Sequence, residues 1–230
     1  VYNRTIDKAL DYAKRHPVKK VFESAEDLIN DSNIDIIYIA TPPSSHKNYA
    51  LKCAESKKPC YIEKPMALNY DECLEIINAY ELINIKSFVA LYRRKMDRFL
   101  KTKSILEEGL IGNPRFVSLS LYRPPSQSEL ENSWRVNPDI SGGGIFLDLA
   151  IHQLDILDFL LGEIIEAKGS YSNQGNYYKP EDTVSASFKS KNHVLGNGIW
   201  CFDSYKYVDE IQIVGDKGKL SLECFGSGPI

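Results

Sequence analysis

Short apolar runs alternate with amphipathic segments along the first ninety residues. The most apolar run is Ile34–Ala40, which is rich in β-branched residues and stops at Thr41-Pro42-Pro43. Such a run is typical of a parallel strand that is buried on both faces. The pattern predicts further strands over Val18–Phe22, Cys60–Ile62 and Phe88–Leu91, and helices over Thr5–His16, Ala25–Asn30, Ser45–Ser56 and Asp71–Leu82. Strands that alternate with helices predict βαβ units and a parallel sheet.

The pattern changes after Lys95. It predicts a helix over Arg98–Glu108, a strand with one solvated face over Arg115–Tyr122, a polar loop over Pro124–Asp139 and an apolar helix over Ile145–Leu161. Five more strands are predicted over Ile165–Tyr171, Thr183–Phe188, His193–Phe202, Asp209–Val214 and Lys219–Cys224. Runs of adjacent strands favour an α+β domain with an open, largely antiparallel or mixed sheet. We therefore expect two domains, residues 1–95 and 96–230.

Ligands of parallel sheets bind beyond the carboxyl ends of the strands. That rule directs attention to three segments that follow predicted strands: Thr41–His46, Glu63–Pro65 and Arg93–Arg94. As a bare string, the first is a strand-to-helix loop with a Ser cap, and at this edge it could also lie against a dinucleotide. The two arginines are most simply surface charges.

Lys64 is the first candidate for chemistry. A lysine at a sheet edge is usually a solvated charge. An ammonium group close to a carbonyl can also stabilise developing oxyanion charge and exchange a proton. Pro65 favours an extended backbone at Lys64, which would aim the side chain reproducibly.

A second candidate lies on the predicted helix that follows Gly142-Gly143-Gly144. Asp148 and His152 are four residues apart and share one face, with Asp155 near the same stripe. Burying these polar groups without partners would be costly. They could form a satisfied core histidine, or a proton-transfer pair with Asp148 holding His152 or a substrate hydroxyl. A metal site needs more ligands than this pattern supplies, so no metal is expected. The glycines could bind an anion or permit close backbone approach.

Composition and charge narrow the class of protein. The 230 residues include 43% hydrophobic and 26% charged residues, with a net charge of −3. This composition is typical of a globular protein and argues against disorder, nucleic-acid binding and an anionic membrane surface. The longest apolar stretches are too short to cross a bilayer. Five scattered cysteines without a C-x-x-C motif indicate buried thiols in a reducing compartment, which we take to be the cytoplasm.

Several motifs occur in a fixed order along nearly the whole chain. They are ATPPSSH, YIEKPMALN, LYRRKMDRF, EEGLIGNPRFVSL and SGGGIFLDLAIHQLDILDFLLG. In this order they resemble the glucose–fructose oxidoreductase, inositol dehydrogenase and MocA family. The resemblance implies a Rossmann domain that binds NAD or NADP, and a C-terminal domain whose open sheet forms a homodimer or homotetramer. It also implies oxidation or reduction of a sugar, inositol or related small molecule.

The same resemblance assigns roles to individual residues. Lys64 and His152 would face the substrate near the nicotinamide, supported by Asp148, with the main acid/base left open. Thr41, Pro42, His46, Glu63 and Lys64 would lie on the cofactor side, and Trp134 and Arg135 are candidates for the substrate pocket. For the last two, a loop anchor with an ion pair is the alternative. The alternative for the whole protein is a non-catalytic sugar or nucleotide sensor, or a scaffold relative, of the same fold.

The sequence departs from the family pattern at the G-x-G-x-x-G turn, which has no counterpart here. Val1-Tyr2 resembles the end of the second Rossmann strand, so we expect a fragment that is truncated at both ends. Asn3 and Arg4 follow this strand, where an acidic residue would favour NAD and an arginine accommodates the 2′-phosphate of NADP. These two residues favour NADP over NAD, although Arg4 could also stack on adenine or face solvent.

Overall fold

A computed structural model describes residues 1–131 and 133–228. The chain divides into two compact units, Val1–Ala90 (unit 1) and Leu91–Ile230 (unit 2). The boundary predicted near Lys95 lies a few residues after this division. Each unit has its own hydrophobic core.

Unit 1 is built on a short parallel sheet. Its strands are β1 (Ile37–Ile39), β2 (Cys60–Ile62) and β3 (Ser87–Val89), in that spatial order. Its helices are α1 (Ile6–Arg15), α2 (Ala25–Asn30), α3 (His46–Glu55) and α4 (Tyr70–Leu82), and a 3-10 turn over Pro43–Ser45 leads into α3. Side chains of α2, α3, α4 and the inner face of the sheet form the core of the unit. This parallel α/β arrangement agrees with the predicted fold class.

The strands of unit 1 differ from two expectations. Val18–Phe22 is not a strand, although the Phe22 N–H donates to the Val1 carbonyl oxygen at 2.9 Å. The run Ile34–Ala40 contributes only three residues to β1, and these alternate between the two faces. Ile37 and Ile39 enter the core, whereas Tyr38 is 57% exposed. The apolar run therefore does not form a strand buried on both faces within the described part of the unit.

Unit 2 begins with helices. A 3-10 turn over Tyr92–Lys95 precedes α5 (Asp97–Glu107). The segment predicted as a polar loop after Tyr122 contains α6 (Gln127–Leu130), a 3-10 turn over Trp134–Val136 and α7 (Pro138–Ser141). The longest helix, α8 (Ile145–Leu161), has the predicted bounds and ends at Gly162.

A mixed sheet completes unit 2, as its pattern predicts. The strands are β4 (Pro114–Tyr122), β5 (Ile164–Ser172), β6 (Thr183–Ser190), β7 (Leu195–Cys201), β8 (Val208–Gly215) and β9 (Lys219–Leu222), in the spatial order β5-β6-β7-β4-β8-β9. β4 is parallel to β7 and antiparallel to β8, and the other pairs are antiparallel. Alternate residues of β4 enter the core, so the expected solvated face is confirmed.

The core of unit 2 lies between this sheet and helices that include α8. Leu119 and Ile211, directly opposite each other on β4 and β8, pack with Ile156 and Leu157 of α8. Gly196 of β7 lies beneath the Phe188 ring, which comes within 2.0 Å of where a Cβ would stand. Within residues 1–131 and 133–228, no helix is both long and apolar enough to cross a membrane.

Candidate active site

Polar loops follow β1 and β2 at the carboxyl edge of the parallel sheet. The loop after β1 carries Thr41 and Pro42 and turns directly into α3. Ser45 shapes it, because its hydroxyl oxygen lies 2.8 Å from Thr41 Oγ1 and 2.9 Å from the Pro42 carbonyl oxygen. Pro42 is exposed and Thr41 half-buried, so the outer surface of this loop is accessible to a ligand.

His46, the first residue of α3, is fully buried beneath these loops. Its Nε2 lies 2.7 Å from the Thr41 carbonyl oxygen, and its Nδ1 lies 2.9 Å from the Pro65 carbonyl oxygen. Both ring nitrogens therefore contact main-chain oxygens. The side chain joins the two loops from behind and has no accessible surface for direct contact with a cofactor.

Glu63 and Lys64 continue the edge beyond β2. The Glu63 N–H donates to the Ile39 carbonyl oxygen at 2.9 Å, which extends the pairing with β1. The Glu63 carboxylate accepts the Tyr38 hydroxyl and, at 3.2 Å, the Lys64 main-chain N–H. The hydrogen bond to Glu63 raises the pKa of Tyr38 to about 12, with burial as a further cause. Glu63 thus serves the local backbone, while the Lys64–Pro65 peptide bond is cis.

Asn3 and Arg4 lie just before α1. Both are exposed, and the Asn3 side-chain oxygen accepts the Thr5 N–H at 2.9 Å. Thr5 precedes the first residue of α1, Ile6, but its side chain makes no capping hydrogen bond.

In unit 2, three of the predicted site residues lie together: Asp148 of α8, and Trp134 and Arg135 of the preceding 3-10 turn. Arg135 Nε lies 3.6 Å from Asp148 Oδ2, and the guanidinium stacks on the Trp134 ring at 4.6 Å. This ion pair was one of the two expectations for Trp134 and Arg135. It leaves Arg135 half-exposed beside the carboxylate, so the arrangement is compatible with a ligand as well as with an anchored loop.

His152 lies one helical turn after Asp148 and is buried between two aromatic rings. The Tyr92 and Phe225 rings approach it edge-on, with centroids at 6.2 and 5.7 Å. Arg93 holds both of these rings: its guanidinium lies 5.3 Å from the Tyr92 centroid and 4.6 Å from the Phe225 centroid. Its Nη1 also donates to the Cys224 carbonyl oxygen at 2.8 Å. The interpretation of Arg93 as a surface charge was wrong.

Arg94 is likewise not a simple surface charge. Its Nε donates to Asp155 Oδ1 at 2.8 Å, and Nη2 donates to that oxygen and to Asp158 Oδ2. The hydrogen bond to Asp155 raises the pKa of Arg94 above its usual value. The pair lines a groove of about 350 Å³ along α8, whose other walls include Phe146 and Leu154. Asp155, which lies near the polar stripe of the helix, therefore has Arg94 as its partner.

A buried polar chain fixes α8 on the sheet. The Trp200 indole N–H donates to Gln153 Oε1 at 2.7 Å, and Gln153 Nε2 donates to Asp209 Oδ1 at 3.2 Å. The other oxygen of Asp209 accepts the Phe225 N–H at 2.6 Å. This chain links the residue next to His152 with the backbone of the ring that packs against His152.

The glycines before α8 permit close approach. A Cβ at Gly144 would lie 2.5 Å from Pro180 Cβ, so this position accepts no larger residue without a shift of the chain. Of the two expectations for these glycines, the structure supports close packing at Gly144.

Several residues around the site were not identified from the sequence. Tyr92, Phe225 and Asp209 are distant from His152 in the chain, and Gln153 is adjacent to it, but none of the four carries a spacing signal. One signal was available for Arg94, because a polar Asp155 on an apolar helix requires a cation. The arginines that follow β3 were the natural candidates.

The architecture defines the class: a parallel α/β domain with polar loops at its carboxyl edge, followed by a mixed-sheet domain with an Asp-x-x-x-His helix. Residues 1–89 match the model of an oxidoreductase family with an NAD-binding Rossmann fold, and residues 99–221 match the GFO/IDH/MocA C-terminal domain. The chain belongs to the GFO/IDH/MocA oxidoreductase family, and the resemblance drawn from the motifs is confirmed.

Individual relatives agree with this assignment. Oxidoreductase P35 of Formosa agariphila is 37% identical over 99% of this chain and 71% of its own length. Myo-inositol 2-dehydrogenase of Thermotoga maritima is 28% identical over 93% of this chain and 64% of its own length. The WlbA dehydrogenase of Bordetella pertussis, solved with NADH and UDP-GlcNAcA, shares the fold with a TM-score of 0.85 at 23% identity, covering 96% of this chain and 64% of that one. The chain thus spans about two thirds of the length of these relatives.

Proposed function

We propose that the protein is an NAD(P)-dependent oxidoreductase that acts on a hydroxyl or carbonyl group of a sugar, inositol or related small molecule. The observation that carries the proposal is the match of both halves of the chain to one oxidoreductase family. The resemblance of its motifs implies that Lys64 and the Asp148/His152 pair belong to the reactive site. The names of the relatives, a myo-inositol dehydrogenase among them, support a polyhydroxylated substrate.

The edge of the parallel sheet fits a dinucleotide. The loop surface at Thr41 and Pro42 is accessible, and Lys64 follows the neighbouring strand. When bound, the nicotinamide supplies the hydride donor or acceptor. Thr41 and Pro42 would contact the cofactor directly. Glu63 and His46 would act by fixing the backbone of the two loops.

The chain's own residues would handle the proton and the charge of the reacting oxygen. The Lys64 ammonium group can stabilise negative charge on that oxygen and give or take its proton. The His152 imidazole can do the same, with Asp148 supporting the substrate or the histidine. Trp134 and Arg135 would border the substrate, because Arg135 lies against Asp148.

Replacement of Lys64 tests its role in turnover. Lys64→Ala is expected to reduce kcat by about a hundredfold or more, with a much smaller change in cofactor affinity. Lys86→Ala, at an exposed lysine of the same unit, is the matched control. Near-normal kcat in Lys64→Ala would remove Lys64 from the chemistry. Cofactor binding without turnover of any sugar or polyol in a panel would favour the sensor alternative.

The pH dependence of kcat distinguishes the two candidate acid/base groups. Lys64→Ala and His152→Asn are compared across the pH range, each with both nicotinamides. The variant that loses a limb of the profile identifies the group that transfers the proton. Unchanged profiles in both variants would contradict a role for either side chain in proton transfer.

Asn3 and Arg4 support NADP as the preferred cofactor. Because an arginine near the ribose accommodates a 2′-phosphate, Arg4→Ala is expected to weaken NADPH binding more than NADH binding. Arg15→Ala on the exposed side of α1 serves as the control. A wild-type preference for NADH, measured by titration of each reduced cofactor, would refute this choice.

The outer face of the mixed sheet supports self-association. Phe116 and Leu195 are directly opposite each other on β4 and β7, and both are exposed. We expect a homodimer or homotetramer through this face. Light scattering should report a smaller species for Leu195→Lys but not for Leu100→Lys, at an exposed position of α5. The five free cysteines support a reducing compartment such as the cytoplasm.

A further inference from the structure

His46 bridges two main-chain carbonyl oxygens from a fully buried position. The oxygens belong to Thr41, after β1, and to Pro65, directly after Lys64. A carbonyl oxygen only accepts hydrogen bonds. A neutral imidazole has one N–H, so it can donate to only one of these oxygens and would present a lone pair to the other. Both contacts are satisfied only when each ring nitrogen carries a proton.

We propose that His46 is a doubly protonated positioning residue, whose two N–H groups clamp the loops after β1 and β2 and thereby fix the backbone at Lys64. The proposal rests on the proposed function only in so far as Lys64 takes part in the reaction. The clamp itself is a property of the fold.

The ionisable groups near His46 lie on neighbouring elements, whereas both ring nitrogens contact main-chain oxygens. The loop from Thr41 to Ser45 contains no ionisable side chain. On the elements in contact with α3, charged side chains pair with one another: Lys47 with Glu72 and Glu75, and Lys52 with Glu26. Glu63 and Lys64 belong to the clamped loop itself. The negative partial charges in direct contact with the ring are those of the Thr41 and Pro65 carbonyl oxygens.

The clamp has a direct consequence for Lys64. β1 and β2 are adjacent parallel strands, with Ile39 opposite Ile62. A main-chain hydrogen bond from the Glu63 N–H to the Ile39 oxygen extends their pairing by one residue. His46 adds a cross-link beyond this point and so limits the freedom of the residue that precedes Pro65. A displacement of about 1 Å in a reacting group can lower a rate by a hundredfold.

Nitrogen NMR of protein labelled with ¹⁵N-histidine tests the protonation state without any cofactor. The His46 signals are assigned by their loss in His46→Gln, and exposed His16 is the reference within the same sample. We expect both His46 ring nitrogens to show attached protons at neutral pH. A non-protonated ring nitrogen at His46 in the folded protein at neutral pH would overturn the proposal.

A second measurement follows the position of Lys64. In protein whose lysines carry ¹³C-methyl groups, the Lys64 signal is assigned with Lys64→Arg. His46→Gln should shift this signal and lower kcat by about tenfold or more, with little change in cofactor Kd. His16→Gln should change neither. An unmoved Lys64 signal in a folded His46→Gln variant would refute the positioning role. If Lys64→Ala proves fully active while the nitrogen signals are as expected, Lys64 has no part in the chemistry and the clamp stands; if no sugar or polyol is turned over, the proposed function fails and the clamp still stands.

Discussion

The pair Arg94–Asp155 offers the sharpest test of how unit 2 is held together. Asp155 has a side chain only 6% exposed, and its Oδ1 receives two donors from Arg94. Replacing Arg94 with Met keeps much of the apolar stem but leaves the carboxylate without its cation. The second oxygen, Oδ2, is buried with no protein hydrogen-bond partner, so no other group takes over.

The size of the expected destabilisation follows from how deeply the Arg94–Asp155 pair is buried. Removing one partner of a fully buried pair costs about 3–5 kcal/mol. Arg94 is 37% exposed and borders the groove along α8, so water can reach Asp155 once the guanidinium is gone. The contact with half-exposed Asp158 adds at most about 1 kcal/mol. We therefore expect Arg94→Met to destabilise unit 2 by about 2 kcal/mol, which is about a thirtyfold change in the unfolding equilibrium.

Urea unfolding followed by tryptophan fluorescence isolates the effect, because both tryptophans, Trp134 and Trp200, belong to unit 2. With an m-value of about 2 kcal/mol/M, the midpoint should fall by about 1 M. Arg115→Met breaks a more exposed pair with Asp216 and should shift the midpoint far less. A further Asp155→Asn in the Arg94→Met background should recover part of the loss. A shift below about 0.5 kcal/mol, or no recovery in the double variant, would refute the assigned role of this pair.

Three further experiments probe packing, acid stability and thiol reactivity. Gly196→Ala should lower the urea midpoint by the equivalent of about 1–3 kcal/mol, because the Phe188 ring occupies the space of the new methyl group; an unchanged midpoint would contradict this. The hydrogen bond from the Asn113 N–H lowers the pKa of Asp216, so its contribution is present above the unfolded-state pKa and lost as pH falls through the folded-state pKa. Asp216→Asn should therefore be less stable than wild type at neutral pH and equal to it in strong acid, as measured by unfolding at several pH values. Burial raises the pKa of Cys224 to about 12, so mass mapping after treatment with a thiol reagent at pH 8 should find it unmodified in the native protein and modified in urea.

Local periodicity was sufficient to predict much of the fold. The bounds of β2 and α8 agree with the apolar pattern, because each element buries a face within its own unit. The strand expected at Val18–Phe22 fails for the converse reason: a short run of β-branched and aromatic residues forms a strand only when a neighbouring strand pairs with it. The partner of a strand is not encoded in its own sequence.

The residues of the candidate site also divide into those that local spacing predicts and those that depend on the tertiary structure. Asp148 and His152 were predictable as one helical face, since their spacing alone sets it. The environment of His152 was not, because Phe225 lies 73 positions away in the chain and reaches the ring only through the folded sheet. His46 fitted the spacing of a loop residue near a ligand, but its contacts with two carbonyl oxygens depend on the tertiary arrangement of both loops.

The central place of β4 in the mixed sheet determines the order in which unit 2 can assemble during synthesis. β4 leaves the ribosome early, yet its two neighbours come much later: Phe116 pairs with Leu195, and Val117 with Ile213. Until residues beyond Cys201 emerge, both edges of a largely apolar strand lack their native partners, and one edge lacks its partner until residues beyond Gly215 emerge. Such non-local pairing slows folding and exposes strand edges to other chains. We therefore expect nascent chains that end before β7 to require chaperones, even though the completed sheet pairs β4 on both sides.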